Sequence, residues 1–127
     1  MHDQDMAIVK ALVPVAWADG VFAQPEKEMI DAVLDAYSAT DKEKEIVHEY
    51  AETKRSLDDI ELQELSADDR RVLFQHAVLL TYVDGTQDPS EKQFIADLCK
   101  KLHIPDDEAQ RLIEGAEARA KRFLNLL

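Results

Sequence analysis

One stretch of this chain occurs twice, at an offset of 65 residues. Ala16-Trp17-Ala18-Asp19-Gly20, five residues and then Glu26-Lys27 return as Thr81-Tyr82-Val83-Asp84-Gly85, five residues and then Glu91-Lys92. The same offset lays Val13 on Val78, Met29-Ile30 on Phe94-Ile95, Val33-Leu34 on Leu98-Cys99, Val47 on Leu112 and Ala51 on Ala116, with no gap. A repeated unit of roughly forty residues therefore fills most of the chain, and any fold assigned to it must contain that unit twice.

Inside the unit the apolar spacing is helical and strand signals are absent. The pattern predicts an all-α fold of about seven helices, in two pseudo-two-fold related three-helix halves joined by a short connector helix. The halves are expected at about 4–54 and 67–124, within one domain spanning 1–127. A first helix runs from Asp3 or Asp5 to Asp19 with Pro14 inside it, where a proline removes a donor and favours a kink. A second starts at Pro25 and ends near Ser38; Thr40-Asp41-Lys42-Glu43 is a capping box that starts a third. The connector helix covers Ser56 to Leu65, and Ser66-Ala67-Asp68-Asp69 caps the fifth. The first and fifth are apolar nearly all round, which makes them the packed centre. Asp88-Pro89-Ser90-Glu91 opens the sixth helix with Asp88 as its cap, and the seventh runs from Asp106 towards the end.

A formal net charge of -12 repels phosphate backbones and anionic lipid, so nucleic acid is not an expected partner. Excess acid suits a cation or a basic protein partner as well as it suits solubility. Met1 to Asp5 has neither the basic start nor the apolar run of a signal peptide, and no apolar segment reaches the length of a membrane span. The expectation is a cytoplasmic protein that is not integral to a membrane. Cys99, the single cysteine, excludes an internal disulfide and falls in the apolar stripe of a helix. The apolar end, Phe123-Leu124-Asn125-Leu126-Leu127, can dock on the core or pair two chains as a homodimer.

The repeated loop poses the functional question. Gly20 and Gly85 suit the left-handed residue that closes a helix, but Asp19 and Asp84 stand at its negative end, a placement costing roughly 0.3 to 1 kcal/mol where exposed. Two kinds of partner compensate them. Backbone donors across the loop would make each aspartate a hairpin clamp without a ligand. Alternatively a hard divalent cation (calcium, magnesium or manganese) would be held by Asp84, Asp88 and Glu91 with the Thr86 oxygen. Neither loop is an EF-hand, because Pro89 stands where that loop needs glycine and Ile95 where it needs a bidentate glutamate. His2, His48, His76 and His103 show no ligand spacing, no nucleophile has an evident base, and no glycine-rich phosphate loop exists. No catalytic residue is assigned, and an enzyme is not expected.

Trp17-Ala18-Asp19-Gly20 with Pro25-Glu26-Lys27, Tyr82-Val83-Asp84-Gly85 with Pro89-Ser90-Glu91-Lys92, and Leu102-His103-Ile104-Pro105 before an acidic final helix resemble the TerB-like family. That family is named for a bacterial tellurite resistance protein, and the chain is also similar to the N-terminal domain of the DnaJ-like membrane co-chaperone. The resemblance covers nearly the whole chain. It implies an all-helical pseudo-two-fold fold, a bacterial stress or toxic-oxyanion setting, protein partners, and an acidic metal-binding cluster carried by Asp19, Glu26, Asp84 and Glu91. Phe22 and Ala23 replace oxygen donors in the first loop, which departs from a symmetric pair of sites.

Overall fold

The computed structural model describes residues 2–17, 24–81 and 89–125, with side chains as far as Arg119. The first helix, α1 (Asp3–Ala16), is buried from Ile8 to Ala16 except at Lys10, and Pro14 lies within that buried run. Burial on all sides is what an all-round apolar sequence requires. In α2 (Gln24–Ala36) the buried residues are Ile30, Val33 and Leu34, a single stripe at helical spacing. A capping box starts α3 (Asp41–Ala51): Thr40 Oγ1 accepts from the Glu43 amide at 3.2 Å, and the Thr40 amide donates to Glu43 Oε1 at 2.9 Å. Ser66 and Asp69 make the same reciprocal pair, both bonds at 3.1 Å, at the start of α4 (Ala67–Leu80). α5 (Pro89–Lys101) and α6 (Asp106–Asn125) complete the order.

The expected connector helix is corrected by the structure. Two 3-10 turns, Leu57–Asp59 and Leu62–Glu64, stand there, each followed by an extended residue, Ile60 and Leu65. Both of these are only 5% exposed. One continuous α-helix would point residues five apart about 140° away from each other, so it could not sink both into one core. Breaking after each turn does so. The described residues therefore form six α-helices, two 3-10 turns and no strand.

α1 and α4 pack on each other at the centre, α1 also touching α2 and α3, and α4 also touching α5 and α6. The 65-residue offset recurs in the elements: α2 and α3 begin at residues 24 and 41, α5 and α6 at 89 and 106. It recurs in their ends as well. Ser38 and His103 hold φ of 59° and 58°. The Ala39 amide donates to Leu34 O at 3.0 Å and the Ile104 amide to Cys99 O at 3.2 Å, while Ser38 bonds Asp35 O at 3.0 Å and His103 bonds Lys100 O at 3.1 Å. Both helices thus stop in the same Schellman closure. Among the described residues, no helix is long and apolar enough to cross a membrane.

Candidate functional site

Asp19, Asp84 and Asp88 lie outside the described residues. Glu26 and Glu91, the other two acids of the expected cluster, stand half-buried in the first turns of α2 and α5. The positive end of each macrodipole favours a carboxylate there. Among the described residues no group of three or more histidine, cysteine, aspartate or glutamate side chains is placed to hold a metal ion.

A different feature opens beside the end of α1. Between α2 and α3 lies a groove of about 440 Å³ with an apolar floor of Trp17, Ile30, Val47 and Ala51. Ile30, Val47 and Ala51 are core residues, and Trp17 is set by its indole N–H, which donates to Ala51 O at 3.1 Å. That carbonyl lies in the last turn of α3, where a helix leaves its acceptors without intrahelical donors. The tryptophan therefore closes α3 and presents its ring to the groove in one step.

The rim is polar: Gln24, Lys27 and Asp31 from α2, His48 from α3, and Glu52 at its end. His48 Nε2 meets Asp31 Oδ1 at 2.6 Å, joining the two helices over the groove while the side chains stay 55% and 49% exposed. One turn further along α2 and one turn back along α3, Lys44 pairs with Asp35 at 2.5 Å. At the 65-residue offset, Asp31 and His48 correspond to Ala96 and Ile113, so the second unit reaches its helical form without an acid–histidine pair. The pair belongs to the first unit alone. The units also differ in length, since α3 ends at Ala51 while α6 continues past the corresponding Ala116 to Asn125.

Other titratable groups serve packing. Tyr37 Oη and His76 Nε2 meet at 3.5 Å between α2 and α4. Burial, and then the Arg119 charge, lowers the His76 pKa; burial, then Asp5 and Asp69, raises that of Tyr37. The Tyr50 ring lies under Arg55 at 3.9 Å and Lys10 at 5.5 Å, a cation–π stack linking α3, the connector and α1. Arg71 grips Glu108 with two guanidinium hydrogen bonds, tying α4 to α6 and holding the Glu108 carboxyl below its usual pKa. Cys99 is buried, as its place in the pattern implied, and its thiol donates to Ile104 O at 3.3 Å.

Ligand spacing in the sequence gives His48 no partner, and no motif marks Trp17, Asp31 or Glu52 as one side of a groove. The signal for the groove was nonetheless present as a difference between the repeats, Asp31 and His48 against Ala96 and Ile113. No protein-family model, curated protein or solved structure matches this chain.

Proposed function

We propose that this chain is a non-catalytic, TerB-like binding domain that takes a segment of a partner protein into the groove between α2 and α3. The observation that carries the proposal is the groove itself: a floor of core residues with an anchored tryptophan, and a rim whose Asp31–His48 pair is replaced by Ala96 and Ile113 in the other repeat. Concave apolar floors with a few convergent polar groups are the usual form of a binding site. The resemblance to the TerB-like family supports the same reading and supplies a setting, bacterial stress response beside partner proteins. In this reading the segments 4–54 and 67–124 are halves related by a pseudo-two-fold, of which the first has diverged to bind.

Selection of displayed random peptides on the intact protein tests this, with counter-selection on His48→Trp, a bulky change at an exposed rim position. Peptides that bind the parent and not the variant are the expected outcome; peptides indifferent to the change would overturn the assignment.

The divalent cation is proposed at the second loop, with Asp84, Asp88 and Glu91 as ligands and Asp19 contributing from the first. Titrating calcium, magnesium and manganese into chelator-stripped protein should raise the thermal midpoint, an effect abolished by Asp84→Asn and less affected by Glu26→Gln. A midpoint unmoved by all three ions would leave the aspartates as hairpin clamps. Protein binding at the groove does not depend on that result.

A further inference from the structure

Resting on the assignment of the groove as a docking site, we infer that its occupant is a basic amphipathic segment of a partner protein, with one large apolar side chain on the Trp17 floor and lysine or arginine side chains on the rim. Charge complementarity is the argument. Residues 24–52, which build both walls, contain nine carboxylates and three lysines, and so carry half of the chain's net charge of -12; of these, Asp31, Glu52 and Lys27 line the groove itself, and the other acids surround it. Lys44 pairs with Asp35, which removes one charge of each sign and leaves that excess unchanged.

The position of the acids adds direction to the field. Glu49 and Glu52 stand in the last turn and at the C-cap of α3, where the macrodipole is negative and a carboxylate is disfavoured. His48 is the sole basic residue of that turn, and it is bonded to Asp31. A cationic side chain lying over this end of the groove meets the helix dipole and Glu52, with Asp31, bonded to His48, on the facing wall. The apolar floor supplies what a purely electrostatic patch lacks, a place to desolvate an anchor. A helix laying one face into a groove between two helices meets both requirements at once. Nucleic acid and anionic lipid are repelled by the same charges.

The probe is a peptide of about sixteen leucine, lysine and alanine residues with leucine on one helical face, a length that spans about four helical turns. Controls replace every lysine by glutamate, or every leucine by alanine. Fluorescence of Trp17, the single tryptophan, reports occupancy of the floor. The leucine-lysine peptide should produce a saturable change, weakened about tenfold or more in Asp31→Lys/Glu52→Lys and retained in Glu114→Lys, a charge reversal on the exposed face of α6.

Equal weakening by Glu114→Lys would mean general attraction to an acidic protein and would overturn the proposal, as would equal binding by the glutamate peptide. So would concentration-dependent self-association that Glu52→Lys abolishes without any peptide response, because the occupant would then be a second copy. The two levels fail separately. Groove-dependent peptides from the displayed library that carry no basic residues would refute the partner chemistry and leave the docking site standing.

Discussion

Ser38 and His103 hold left-handed backbone conformations that glycine reaches without a side-chain penalty. Because neither is a glycine, both α2 and α5 end in a strained residue, and Ser38→Gly or His103→Gly should stabilise the protein by about 0.5 to 1 kcal/mol. The urea midpoint measures this; an unchanged or lowered midpoint would mean that the side chain contributes more than the conformation costs. His76 gives a pH dependence of definite sign. Its folded pKa is lowered by burial, so as pH falls the unfolded chain takes up the proton first. Stability from this group is present above its ordinary value of about 6.5 and is lost from there down towards the folded value. His76→Gln can keep a polar partner for Tyr37 and removes the titration. Its thermal midpoint should fall less than the parent's between about pH 7 and about pH 5; parallel profiles would contradict the assignment. The groups facing this site, Asp5, Asp69, Tyr37 and Arg119, are unchanged in the variant, so the difference isolates the histidine.

At the scale of elements, α6 carries a removable weakness. Gly115 lies inside it, and among the described residues a methyl group added there would meet only an Arg119 nitrogen, at 3.8 Å. Gly115→Ala should therefore stabilise by about 0.5 to 1 kcal/mol through helix propensity, read as a raised thermal midpoint; a lowered one would reveal a close neighbour of α6. Which elements were legible in the sequence follows from the range of the forces that make them. The boxes at Thr40–Glu43 and Ser66–Asp69 are closed within four residues, so their residue types announce them. The ends of α2 and α5 lack the glycine that usually marks such closures, and were legible only as an approximate stop. The connector was misread because its form is decided by burial of Ile60 and Leu65 under distant helices, and no local preference records that. The floor of the groove was hidden for the same reason. Its defining bond, from Trp17 to Ala51, joins residues 34 apart in the chain.

At the scale of the whole molecule, the two units share a register and differ in what they expose. Core positions repeat closely, Ile30 with Ile95, Val33 with Leu98, Leu34 with Cys99 and Ala51 with Ala116, all buried in both copies. Fold class was readable for that reason, since two copies of one helical pattern constrain each other more tightly than either does alone. The rim repeats only in part: Lys27 and Glu52 return as Lys92 and Glu117, while Asp31 and His48 give way to Ala96 and Ile113, positions free to differ because the core does not need them. Asp31→Ala/His48→Ile exploits this by giving the first unit the residues the second already carries at those places. The most direct measurement is the titration of that double variant with the leucine-lysine peptide, following Trp17 fluorescence beside the thermal midpoint. A midpoint within a few degrees of the parent's and peptide binding weakened about tenfold or more is the predicted result. Undiminished binding by a folded variant would contradict the claim that the first unit's rim is a binding surface.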